Sequence, residues 1–100
     1  MLTHFGEMIL ASDSRQRTVQ TPTDLVLGVN PTTRLLAHCS MLRPGAKALD
    51  LGTGCGTLAL SLARSADSVV ANDINPRALD FGKMNAALNG VGNVTFLLGD

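Results

Sequence analysis

The sequence predicts an α/β fold built on a parallel sheet. Three observations carry that expectation. From residue 46 onward, short apolar runs alternate with helical stripes. One run-to-stripe junction is rich in glycine, and acidic residues stand where the runs end.

Lys47-Ala48-Leu49-Asp50-Leu51 is a short apolar run ending at glycines, the pattern of a buried parallel strand. Residues 57–65 suit a helix, with Leu58, Leu62 and Ala66 spaced four apart and Ala59 and Ala63 widening the stripe. Residues 68–72, Ser-Val-Val-Ala-Asn, are apolar and β-branched, which predicts a second strand. Asn75-Pro76 starts the next helix, Asn as N-cap and Pro at the first helical position. That helix is expected to reach Asn89, with Gly90 as its stop and Gly82 allowing close approach to the sheet. Val94-Thr95-Phe96-Leu97-Leu98 is the third strand. Right-handed crossovers then place a ligand site at the carboxyl ends of the strands: Asp50–Gly56, Asp73–Pro76 and Gly99–Asp100.

The chain divides near Pro44-Gly45 into an N-terminal lead-in segment, 1–44, and a β-α-β-α-β unit, 45–100. In the lead-in, residues 32–42 read as a helix packing on the sheet through Leu35, Leu36, Cys39 and Leu42. Residues 7–11 and 23–27 read as strands around a polar connection, Ser12–Gln20, in which Arg15 and Arg17 are solvated.

Composition excludes several classes. One hundred residues make one small domain, and 45% apolar with 16% charged residues is a globular ratio. Eight basic residues balance eight acidic ones, which argues against non-specific nucleic-acid or membrane-surface binding. Only Phe5, Phe81 and Phe96 are aromatic, too few for the stacking platforms that hold single strands. Mean hydropathy is +0.21, but no apolar run approaches the ~20 residues of a membrane span. The first residues lack the pattern of a signal peptide. Cys39 and Cys55 form no C-x-x-C motif, so reduced thiols and a cytoplasmic location are expected. No metal-ligand spacing occurs. Cys39 reads as a core thiol, His38 as a surface residue, and Cys55 as a small side chain in a tight loop, with no base near it in sequence.

The sharpest motif is Leu49-Asp50-Leu51-Gly52-Thr53-Gly54-Cys55-Gly56. Glycines there permit positive φ and close approach of a ligand to the backbone. A P-loop needs Gly-Lys-Ser/Thr after four intervening residues, which the sequence lacks. A dinucleotide fingerprint needs its third glycine at position 57, which is Thr. Asp50, two residues before Gly52, would repel a pyrophosphate but suits an ammonium group. Asp73, after the second strand, is placed to accept from both hydroxyls of a ribose. Asp100, after the third, is placed to meet the amine of adenine, while Leu51 and Ile74 flank the purine.

The segments Ala48–Gly56, Ala71–Leu79 and Asn93–Asp100 resemble class I S-adenosylmethionine-dependent methyltransferases. More narrowly they resemble the "methyltransferase small domain" branch, which includes release-factor glutamine N5-methyltransferases and rRNA guanine N2-methyltransferases. Asp24–Thr33 is similar to the segment before the first helix in that branch. The resemblance implies a Rossmann-like, doubly wound parallel sheet, of which this chain is the N-terminal part. It implies S-adenosylmethionine as cofactor. Gly52, Gly54 and Gly56, with Leu51, Thr53 and Cys55 between them, would line its methionine part. Asp50 would hold the amino group, Asp73 the ribose, Ile74 the adenine ring and Asp100 the adenine amine. Thr32 stands where the branch places a residue near the transferred methyl.

The branch's Asn/Asp-Pro-Pro-Tyr/Phe motif is absent, because the prolines, 22, 31, 44 and 76, are never adjacent. The family sheet has seven strands and this chain supplies three. The expectation is a truncated or processed chain, or one piece of a longer protein, carrying the cofactor half, with a macromolecular acceptor, protein or RNA, engaged by the remainder. No catalytic residue is assigned. Two rival readings stand beside it: a binding module that self-associates through the uncovered Lys47–Leu51 edge, and a nicotinamide-binding domain.

Overall fold

The computed structural model describes residues 1–14 and 24–100. Its elements are β1 (Leu2–Phe5), β2 (Met8–Ala11), α1 (Pro31–Cys39), β3 (Lys47–Leu51), α2 (Thr57–Ala63), β4 (Ser68–Asp73), α3 (Pro76–Leu88) and β5 (Val94–Leu98). Arg15, Arg17, Thr23 and most of the expected polar connection lie outside the described residues.

β3, β4 and β5 form a parallel sheet in that spatial order, as the alternating pattern requires. Asp50 is in register with Ala71, and Asn72 with Leu97, so the three carboxyl ends lie side by side. Alternation along the strands separates two faces. Val69 and Ala71 are buried against Ala59 and Ala63 of α2, with Val94 and Phe96 packed beside them. Leu49, Leu51 and Leu97 point the other way and are at least half exposed. Thus α2 and α3 roof one face of this Rossmann-like sheet. The second helical layer of a doubly wound sheet is not among the described elements.

α3 begins and ends as its sequence dictates. The Asn75 side chain accepts from Arg77 N at 3.0 Å, Pro76 follows, and Gly90 stops the helix at φ +66°. Gly82 faces the ring of Phe96, where a Cβ would lie 2.5 Å from ring carbon Cε1. The stripe expected on α2 needs correction. Its buried positions are Thr57, Ala59, Leu60 and Ala63, while Leu58 and Leu62 are only partly covered. A second packing partner adds to the stripe: Leu60 joins Met8, Leu10 and Ala86.

α1 is shorter than expected and buries none of its residues. It packs against α2 rather than the sheet, so Leu35 and Leu36 stay exposed and Cys39 carries an exposed thiol instead of a core one. Leu42, beyond the helix, does reach the core. Asn30 caps the helix start, accepting from Thr33 N at 2.9 Å.

β2 matches the strand expected at residues 7–11, and it pairs antiparallel with β1, a strand the sequence reading did not include. The strand expected at 23–27 is not one: Asp24 lies in a turn and residues 25–27 are irregular. Its backbone is engaged by a side chain instead of a neighbouring strand. Asp13 N donates to Val26 O at 3.0 Å, and Val26 N donates to Asp13 Oδ2 at 2.9 Å.

The hairpin docks on α3 through two asparagines. Ala11 N donates to Asn85 Oδ1 at 2.6 Å, and Asn85 Nδ2 donates to Ala11 O at 2.9 Å. Asn89 repeats the pattern on Ile9, at 2.9 and 2.7 Å. Four helical residues rise about 6 Å and two strand residues about 6.6 Å, so the two pairs fit together. No helix among the described residues is long and apolar enough to cross a membrane.

Candidate functional site

β3 ends at Leu51, and the chain turns through Gly52 (φ +70°), Gly54 (φ +56°) and Gly56 (φ +89°) into α2. L-residues rarely adopt such angles, which explains the three glycines. Their surroundings differ. A Cβ on Gly52 or Gly54 would meet nothing within 4 Å, so the backbone there faces open space. A Cβ on Gly56 would lie 3.3 Å from the Cα of Gly82. Gly56 therefore seats the loop on α3.

Above the loop is a cleft of about 470 Å³. One wall is Asp50 and the loop residues Leu51, Gly52, Thr53, Gly54 and Cys55; a second is Asp73, Ile74 and Asn75 after β4. A third comes from the lead-in segment, with Val26, Gly28, Asn30 and Thr33.

Asp50 is buried at the end of β3, and Thr53 Oγ1 donates to its Oδ2 at 2.8 Å. Burial pushes its carboxyl above the ordinary carboxylate value; the Thr53 bond opposes the rise, and the negative charge of Asp73 adds to it. Asp73 organises the loop. Its Oδ2 accepts from Gly54 N and its Oδ1 from Asn75 N, both at 2.9 Å. A carboxylate has about four acceptor positions, so two remain for a ligand. Thr53 N donates to Asn72 O at 2.9 Å, which ties the loop to the neighbouring strand.

Of the expected site residues, the structure brings together Asp50, Leu51, Gly52, Thr53, Gly54, Cys55, Asp73 and Ile74. Leu51 and Ile74 are largely exposed and stand at the cleft, as a flat apolar ligand requires. Gly56 and Asp100 do not line it. Asp100 is exposed; before it, Gly99 (φ +147°) stays alongside β4, its N donating to Asp73 O and its O accepting from Asn72 Nδ2. Thr32 is also exposed and outside the cleft, while its neighbours Asn30 and Thr33 line it.

Cys55 is buried, with its Sγ 3.2 Å from Thr57 Oγ1, a packed thiol rather than a nucleophile. Among the described residues, no cluster of His, Cys, Asp or Glu is able to hold a metal ion. The lead-in wall was missing from the assigned site residues. A signal for it existed: Asn30-Pro31 repeats the Asn-Pro helix start of Asn75-Pro76, and both helix starts border the cleft.

The family described as "Methyltransferase domain" matches residues 42–100. A ribosomal protein L11 methyltransferase of Thermus thermophilus is 44% identical over 66 residues, 64% of this chain and 26% of the relative. The crystal structure of Trm5b from Pyrococcus abyssi superimposes with a TM-score of 0.75 at 25% identity, over 99% of this chain and 28% of that one. A ribosomal protein L11 methylase from Lactobacillus delbrueckii superimposes with a TM-score of 0.59 at 32% identity, over 67% of this chain and 35% of that one. The chain spans about a quarter of the length of the Thermus relative.

Proposed function

Because the chain belongs to the methyltransferase domain family, we propose that it binds S-adenosylmethionine and forms the cofactor half of an enzyme that methylates a nitrogen of a protein or an RNA. The bound cofactor supplies a sulfonium methyl, an electrophile whose leaving thioether departs neutral. The observation that carries the reading is the meeting of a buried acid, a glycine backbone and a second carboxylate in one cleft.

The residues present fit the group. Burial alone disfavours an ionised Asp50, and an ammonium brought beside it offsets that cost, so Asp50 suits the amino end of the ligand. Gly52 and Gly54 leave the space a Cβ would take, and the intervening Thr53 keeps Asp50 oriented. Asp73 retains acceptor positions for the ribose hydroxyls, and Ile74 and Leu51 offer apolar surface to adenine. In this reading Gly56 acts by seating the loop, and Asp100, after the third strand, meets the adenine amine. The chain's contribution is positioning of the reacting group. No group that would hold the acceptor nitrogen is assigned among the described residues.

The L11 methyltransferase relatives support a macromolecular acceptor. The free thiols at Cys39 and Cys55 support a cytoplasmic location. Isothermal titration with S-adenosylhomocysteine and with NAD tests the assignment. Saturable binding of the first and none of the second is expected, with Asp50→Asn weakening it; binding of NAD alone would reverse the assignment to a nicotinamide domain.

One observation favours a second role beside the first. β3 is an edge strand of the described sheet, with Leu49 and Leu51 exposed, and bare edges invite pairing with another chain. Sedimentation equilibrium is expected to show self-association, and a monomer at high concentration counts against it.

A further inference from the structure

The lead-in wall of the cleft is not part of a strand. Val26 buries its side chain against Cys55 and Ala78, and Asp13 and Arg77 fasten its backbone from behind. Asp13 brackets Val26: its N donates to Val26 O at 3.0 Å, and its Oδ2 accepts from Val26 N at 2.9 Å. Arg77 then grips the same carboxylate with both terminal nitrogens, Nη1 to Oδ2 at 2.6 Å and Nη2 to Oδ1 at 2.8 Å. Nη1 also donates to Asp24 O at 3.1 Å, where Asn75 Nδ2 joins it at 2.9 Å. The guanidinium lies over the ring of Phe81, which packs on Val26, Cys55 and Ala78.

We infer that Arg77 and Asp13 are positioning residues for the ligand cleft: together they fasten the wall at Val26–Gly28 to the start of α3, and so set the width of the cleft opposite Asp73. The inference rests on the reading of the cleft as a cofactor site. Its logic is one of connection. Arg77 lies four residues after Asp73 and two after Asn75, both of which form the other wall. One helix start therefore carries a residue that lines the cleft and a residue that clamps the facing wall. Neither Arg77 nor Asp13 lines the cleft itself. The pair is also built differently from an ordinary surface ion pair. Asp13 is mostly covered, its oxygens are shared with a backbone N–H, and the Arg–carboxylate fork fixes an orientation that a single point contact does not. The Arg64–Glu7 pair, exposed on both sides with a single contact, makes a natural comparison.

The test is the dissociation constant for S-adenosylhomocysteine, measured by titration calorimetry on the full chain at a temperature where circular dichroism shows each variant folded. Arg77→Met and Asp13→Asn are each expected to weaken binding about tenfold. The double variant should bind no more weakly than Arg77→Met, because both changes break one link. Arg77→Lys, which keeps the charge and loses the fork, should fall between, and Arg64→Met should bind as the wild type does. A merely stabilising ion pair would lower Tm and leave these affinities equal. Equal affinity of folded Arg77→Met and the wild type overturns the inference while the cofactor reading stands. If Arg77→Met does not fold, Asp13→Asn decides by the same criterion. If the wild type itself fails to bind, the cofactor reading falls and the inference falls with it.

Discussion

The β-α-β-α-β unit and the N-terminal lead-in meet the solvent in the same small molecule, yet polar side chains carry more of the fastening in the lead-in. In the unit, small apolar side chains interlock: Ala59 and Ala63 on Val69 and Ala71, and Gly82 on the Phe96 ring. In the lead-in, apolar contacts of Met8 and Leu10 with Leu60 and Ala86, and of Val26 with Cys55 and Ala78, are joined by polar side chains that bond the backbone. Asn85 and Asn89 serve as a strand partner for β2, and Asp13 serves as one for Val26. The difference teaches that close packing builds the floor of the cleft, while its facing wall adds a few directional bonds to the packing of Val26.

The comparison breaks most severely at Asn85, which is fully buried and bonds Ala11 N, Ala11 O and Cys55 O. Asn85→Ala strands three backbone groups, at about 1–3 kcal/mol for each buried group left unmade. A loss of about 4 kcal/mol in urea unfolding is expected, and a loss under 1 kcal/mol would show that the hairpin is not held this way. Gly82→Ala tests the packed side. Overpacking against Phe96 costs about 3 kcal/mol, and the better helix propensity of alanine returns about 1 kcal/mol, leaving a net loss of about 2 kcal/mol. A neutral result would mean the ring moves aside.

The smallest effect is acid sensitivity of the lead-in. The hydrogen bond from Arg77, helped by the Val26 N–H, holds the Asp13 carboxyl down at about 2, from the ordinary 3.8. Its stabilising contribution is therefore full above about pH 4 and is lost as pH falls through about 2. Asp50 moves in the opposite sense, since its carboxyl is raised and its protonation favours the fold. The two are separated by comparing the wild type with Asp13→Asn. The difference in Tm between them should shrink as pH falls from 4 to 2, and a constant difference would contradict the ion-pair account.

The unit was legible because its signals are local. Strand runs ending at glycine, an Asn-Pro cap and a Gly stop need no partner to be recognised, and β3, α3 and β5 lie where those signals place them. Asp50 and Asp73 were legible because strand ends in a parallel sheet converge. The errors lie where a distant residue decides. Leu60, outside the expected stripe of Leu58, Leu62 and Ala66, is buried because a hairpin from the far end of the chain covers it. Residues 25–27 look like a strand, but Asp13 takes both backbone hydrogen bonds of Val26 at their centre. Asn85 looks like one more polar residue on a helix that also carries Arg77, Asp80 and Lys83, and only the fold reveals its three partners. Asp100 follows the third strand as its position in the sequence suggests, and it is exposed outside the cleft.

The most direct measurement is an amide NMR titration of the full chain with S-adenosylhomocysteine. The account predicts saturable shifts at Gly52, Gly54, Ile74 and Asn75, accompanied by Val26 and Gly28 across the cleft, with Gly92 and the β1–β2 turn unmoved. A spectrum of the folded protein that does not change, or that changes only away from the Gly52–Gly54 loop, contradicts it.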